Sequence, residues 1–212
     1  MVRILSISIG AVSTAFILLP VMFVLRKTAF QKHTKIQYLL VFIFAVYLSA
    51  TFTVVGIPAL NSLTIDGEFN LIPIIDILNS PIEYCKNTIL NIILFVPLGF
   101  LLPAIWNEYR SLKKTFIIGL GLSLLIEILQ IFTFRLTDVD DLITNTLGTV
   151  IGYFLSSRLP EGIQLKISVH GAKYEPFIVC LIVILLMITI QPFISSAIWS
   201  CILSSPIWQH IR

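Results

Sequence analysis

Four stretches of this chain, residues 4–25, 36–60, 88–106 and 177–203, contain no charged side chain. Each is close to or beyond the roughly 20 apolar residues that an α-helix needs to cross a hydrocarbon slab about 30 Å thick. A soluble domain of this size has no interior large enough to hide four such runs. With 57% hydrophobic and 12% charged residues, the chain also lacks the polar surface that water would demand. It reads as an integral membrane protein whose single domain spans residues 1–212. Two further stretches extend the pattern. Residues 115–134 carry only the charge of Glu127, and residues 142–157 form a short run that contains Asn145. The expected fold class is all-α, a polytopic bundle of about six transmembrane helices. Long unbroken apolar runs disfavour the alternating pattern of a closed β-barrel. The first run is too long for a secretory leader and has no A-x-A-like cleavage site close behind it. Residues 68–78, "EFNLIPIIDIL", are too short to span and are expected to form a re-entrant or interfacial segment between the second and third helices.

Basic residues orient the bundle. Arg26, Lys27, Lys32 and Lys35 follow the first span, Arg110, Lys113 and Lys114 the third, and Arg158, Lys166 and Lys173 the fifth, which accounts for ten of the fourteen. The positive-inside rule then puts these loops in the cytoplasm and both termini outside it. The opposite side carries Asp66, Glu68, Asp76, Glu83, Asp138, Asp140 and Asp141, so the extracytoplasmic face is acidic.

In that frame the polar residues converge on the outer leaflet. Glu127 lies twelve residues along the fourth span from Thr115, or about 18 Å at 1.5 Å per residue, near or slightly beyond the midplane and with no helix end expected beside it. A carboxylate at that depth costs at least about 2.5–3.5 kcal/mol unless it is neutral, paired or wetted. Asn91, Gln130 and Asn145 are the expected hydrogen-bond donors to it, with Arg135 about two helical turns above. Asp138 to Asp141 are expected to form the outer turn, and Asp138 and Asp141 could cap the fifth helix. Asp141, Asn145, Gly148 and Gly152 share one face of that helix. The two glycines are expected to align with Gly119 and Ser123 of the fourth as a close-packing surface. Pro97 and Gly99 are expected to interrupt the third helix.

Four segments, "NLIP" (70–73), "NIILFVPLGFLLP" (91–103), "IEILQIF" (126–132) and "RLTDVDDLITNTLGTVIGY" (135–153), resemble in order and separation the signature blocks of the VanZ-like family of bacterial membrane proteins. The resemblance covers about residues 70–153. It implies an association with low-level resistance to teicoplanin, a lipid-tailed glycopeptide that acts outside the cell on cell-wall precursors, which is a phenotype and not a reaction. The family's characteristic polar positions fall on Asn91, Glu127, Gln130, Arg135, Asp138, Asp141 and Asn145.

Several chemistries are excluded. His33, His170 and His210 lie in connecting or terminal segments, away from Glu127. Cys85, Cys180 and Cys201 have no metal-ligand spacing, and neither a P-loop nor a basic nucleic-acid stripe is present. Three readings remain. The first is a protein that binds or shields a lipid-linked cell-wall precursor or a lipoglycopeptide, with membrane lipids around it, no nucleic-acid partner and no metal. The second is an intramembrane enzyme with Glu127 as its candidate catalytic base and a divalent cation such as Mg²⁺ on the aspartates. The third is a proton-coupled lipid transporter titrating Glu127, with helix breaks at Pro97 and Pro192.

Overall fold

The computed structural model describes residues 2–28, 30–56, 58, 69–70, 80–133 and 137–204. Its elements are the helices α1 (Val2–Thr28), α2 (Lys35–Val55), α3 (Pro81–Ile105), α4 (Leu112–Gln130), α5 (Val139–Ser156), α6 (Glu161–Ile167), α7 (Glu175–Thr189) and α8 (Gln191–Leu203), with a 3₁₀ turn at Asn107–Tyr109. Two short strands, β1 (Phe69–Asn70) and β2 (Thr137–Asp138), pair in parallel, with Asn70 opposite Asp138. The expected re-entrant segment 68–78 lies outside the described residues apart from Phe69 and Asn70.

Helix ends follow their capping chemistry and correct the expected boundaries. At α2, Thr34 and Gln37 form a reciprocal capping box, and Gly56, at φ 74°, stops the helix short of residue 60. α3 starts at Pro81 and not at 88, because Pro81 has the backbone angle of a first helical residue and Glu83 complements the helix dipole. α4 ends at Gln130 and not at 134, where Thr133 bonds back to the Gln130 carbonyl through its N–H at 2.9 Å. α5 starts at Val139 and not at 142, since the side chain of Asp138 caps it.

Of the two expected proline breaks, one is absent and the other is present. Both Pro97 and Pro103 lie inside α3, which continues through them. Beside the bond that Pro97 removes, the Leu94 carbonyl accepts the Tyr47 hydroxyl of α2 at 2.8 Å, so a neighbouring helix supplies a donor where the proline weakens the ladder. The last apolar run, by contrast, is not one straight helix. α7 and α8 meet at a 46° bend around Ile190, with Pro192 in the first turn of α8.

Among the described residues, α2 and α3 are each long and apolar enough to cross a membrane alone, and the bent α7–α8 pair meets that requirement as a unit. α4 carries Lys113, Lys114 and Glu127, and α5 opens on two aspartates, which sets both apart by composition. The distribution of surface is that of a protein in lipid. Large apolar side chains such as Phe16, Ile93 and Leu181 face outward at 71%, 60% and 58% exposure, while Ser49, Ser123, Asn145 and Thr149 are buried. The molecule is a helical membrane bundle.

α3, α4 and α5 form a tight trio, α2 connects it to α1 and α7, and α8 packs on those two. Within the trio α5 lies chiefly against α3, which corrects the expected pairing of Gly148 and Gly152 with α4. A methyl group on Gly148 would stand 2.3 Å from the Ile92 carbonyl oxygen, and one on Gly152 only 2.0 Å from that of Val96. From the other side, a methyl on Gly99 would meet the Thr149 carbonyl at 1.9 Å. α3 and α5 therefore touch backbone to backbone, while Gly119 of α4 faces α5 through the Thr149 side chain.

Since these obstacles are main-chain atoms, no rotamer change can relieve them. Gly152→Ala should destabilise the detergent-solubilised protein by at least the about 1–3 kcal/mol typical of overpacking, seen as a lowered melting temperature. Gly121→Ala, where nothing lies within 4 Å of the added methyl, should leave it unchanged. Equal melting temperatures for the two variants would refute the close crossing.

Candidate functional site

The α3–α5 crossing sets the geometry of one end of the trio. α3 and α5 both begin there, at Pro81 and Val139, so their positive dipole ends lie on the same side. α4 arrives from the opposite direction and ends there at Gln130. Glu127 is thus in the last turn of α4 and not in mid-helix, which corrects the expected absence of a helix end beside it. It is 5% exposed. Its Oε2 accepts the backbone N–H of Asp138 at 3.0 Å, joining α4 to the residue that caps α5.

The side chain of Asp138 in turn accepts the N–H of Asp140 at 2.9 Å. This is the capping role that its position predicted. Asp141 does not share it. Its Oδ1 accepts from Asn91 Nδ2 at 2.6 Å, a bond between the first turn of α5 and the middle of α3. Asn145 donates to Ser123 Oγ at 3.0 Å, linking α5 to α4. Gln130 donates to the Val55 carbonyl at 3.1 Å, linking α4 to the end of α2. The three amides expected to surround Glu127 direct these bonds to partners on neighbouring helices. Asn145 Oδ1 and Gln130 Oε1 are buried acceptors with no partner among the described residues. Arg135 lies outside the described residues.

Asn91, Glu127, Gln130, Asp138, Asp141 and Asn145 thus each form hydrogen bonds at this end of the bundle, but they do not all face one space. The open space at this end is a cavity of about 250 Å³ whose walls include Glu83, Tyr84, Asn87, Asp138, Asp140 and Asp141. Of the expected residues that the structure describes, Asp138 and Asp141 line it. Tyr84, Asn87 and Thr88 were missed because α3 was expected to start at Thr88. The signal was present in Ser80–Pro81–Ile82–Glu83, a helix start that puts Tyr84, Asn87 and Asn91 on one face. Its lining is rich in carboxylates at the N-termini of two helices, an arrangement suited to hydroxyl and amine donors. No group of three or more His, Cys, Asp or Glu residues suited to a metal ion occurs among the described residues. Cys85, Cys180 and Cys201 are free.

Below the cavity, α5 changes character without changing face. Asp140 and Thr144 line the cavity, and Leu147, Ile151 and Phe154 follow at helical spacing. These three are 47%, 38% and 53% exposed. A carboxylate-lined cup therefore opens directly above a lipid-facing apolar strip.

Comparison with known proteins agrees with this architecture. One curated relative, Protein VanZ of Enterococcus faecium, is 44% identical over 72 residues, an alignment covering 32% of this chain and 44% of that protein. The match thus spans less than half the length of the relative. No solved structure matches. A model of the VanZ/LLP1 family matches residues 22–160, which includes α2 and the whole trio as well as the four sequence blocks. Matched over well more than half its length, the chain belongs to the VanZ/LLP1 family.

Proposed function

We propose that this protein binds or shields a lipid-linked cell-wall component, or a lipid-tailed glycopeptide, at the outer leaflet of the bacterial cell membrane, and so contributes to teicoplanin-type resistance. The observation that carries this reading is the continuity on α5 between the acidic cavity and the strip of Leu147, Ile151 and Phe154. A headgroup rich in hydroxyls and amines suits the first, and an acyl tail suits the second. Arg135, by its place in the sequence, would supply a bidentate donor for a phosphate. The family's link to teicoplanin accords with a site that senses a lipid tail. The distribution of basic residues supports six crossings with both termini extracytoplasmic, and in that orientation the cavity opens outward.

An enzyme or a proton-coupled transporter built on this site would need the charge of Glu127. The binding reading needs only its hydrogen bond to the Asp138 N–H, which a carboxamide oxygen also accepts.

Expression of the chain in a susceptible host should raise tolerance to teicoplanin and barely change tolerance to vancomycin, which tests the dependence on a lipid tail. Asp140→Asn should return teicoplanin tolerance to the empty-vector level at normal protein abundance. Glu127→Gln should retain it. Equal protection against both drugs would count against the tail-sensing site, and loss of protection in Glu127→Gln at normal abundance would transfer the assignment to the enzyme or transporter.

Orientation has its own check. Cys85 is exposed, in the second turn of α3 beside the cavity. With Cys180 and Cys201 replaced by serine, a membrane-impermeant maleimide should label Cys85 in intact cells. Labelling only after lysis would invert the topology.

A further inference from the structure

The opposite end of the bundle holds a second and larger cavity, of about 790 Å³, that the reading above does not use. Its walls include Lys32, His33, His170, Lys173, Tyr174 and Glu175, brought together from the α1–α2 loop and the segment before α7. That enclosure is built by a set of long-range bonds. Gln37 Nε2 donates to the Ser168 carbonyl at 2.7 Å, and Val169 exchanges backbone hydrogen bonds with Ile105 and Asn107 at 2.7 and 3.1 Å. Tyr109 donates its hydroxyl to the Lys173 carbonyl at 2.6 Å.

The acidic member of the wall is already engaged. Glu175 Oε2 accepts from Trp106 Nε1 at 2.9 Å and faces His33 Nε2 at 3.1 Å. Lys32 and Lys173 are exposed, and neither forms an ion pair among the described residues. Lys173 Nζ is held 4.8 Å from the centre of the Tyr174 ring, which limits where its charge can go. The N-termini of α2 and α7 both open beside the cavity, through Gln37 and Glu175, so two helix dipoles add to the positive potential. Tyr174, exposed at this end, is an aromatic of the kind enriched at a membrane boundary.

We propose that this cavity is a binding site for a phosphate-bearing anion, taken from the headgroup of an anionic membrane lipid or from free phosphate, with Lys32 and Lys173 as its charged contacts. The site is independent of the acidic cavity at the other end and tests separately from it. Bound there, a phosphate would tie the α1–α2 loop to the start of α7 and so fasten the outer layer of helices to the trio.

The test uses the full-length protein in neutral detergent. Thermal stability is titrated with phosphatidylglycerol, with phosphatidylcholine as the zwitterionic control, and with inorganic phosphate. Wild type should be stabilised by phosphatidylglycerol well beyond phosphatidylcholine, and the double variant Lys32→Gln/Lys173→Gln should need at least about tenfold more of it. Lys113→Gln/Lys114→Gln, which removes the same charge from the same end but outside the cavity, should behave as wild type. Stabilisation by inorganic phosphate that is lost in the first double variant would identify free phosphate as the source, and its absence the lipid. If neither probe stabilises the protein, or if both double variants weaken phosphatidylglycerol equally, the site does not exist as described.

Discussion

The contact on which the rest depends has no side chains in it. Where α3 crosses α5, Gly99, Gly148 and Gly152 let main chain meet main chain. In lipid no hydrophobic force pulls helices together, so association relies on close packing and on polar bonds. The crossing provides the first and makes room for the second. It brings Asn91 within 2.6 Å of Asp141, and α4 then docks through Asn145 and Ser123. With larger residues at the crossing, these polar side chains would sit unpaired in hydrocarbon, where each costs several kcal/mol.

A membrane bundle of this kind has two unlike ends, and each is organised around a carboxylate, buried in one case and partly buried in the other. At one, Glu127 joins α4 to the cap of α5. At the other, Glu175 gathers Trp106 from the end of α3 and His33 from the α1–α2 loop. Acidic side chains line the first cavity and lysines the second. The segregation of charge between the two ends thus leaves two cavities with unlike linings, one rich in carboxylates and one with two lysines.

Much of this was legible in the chain itself. Apolar runs identified the helices, and four short blocks identified the family. Residues 70, 91, 127 and 138 belong to those four blocks in turn, and the fold gathers three of them around Asp138: Asn70 pairs with it, Glu127 accepts from it, and Asn91 binds Asp141 one turn away. What hydropathy could not show was where each helix ends. Apolar character continues past Gln130 and begins only after Pro81, so spans judged by oiliness were misplaced by three to seven residues at the ends that matter. Partner choice was equally hidden. Gly148 and Gly152 are spaced to pack against any helix, and only the crossing direction decides for α3. The pairing of His33 with Glu175 joins residues 142 positions apart, beyond the reach of any local pattern.

Glu127 itself sits against local preference. A carboxylate in the last turn of a helix opposes the negative end of its own macrodipole, an effect worth about 0.3–1 kcal/mol and more when partly buried. α4 alone would not favour it. The compensation comes from α5, whose N-terminus lies alongside with the opposite sign and whose capping residue donates its N–H to Oε2. The residue is therefore stable only as part of the assembled trio, and its cost is met by a neighbour and not by its own helix. Conflicts of this kind between local propensity and tertiary placement are expected where a sequence serves a site and not only a fold. That is the physical reason to look for function at this end of the bundle, where the same capping residue both receives the acid and lines the cavity.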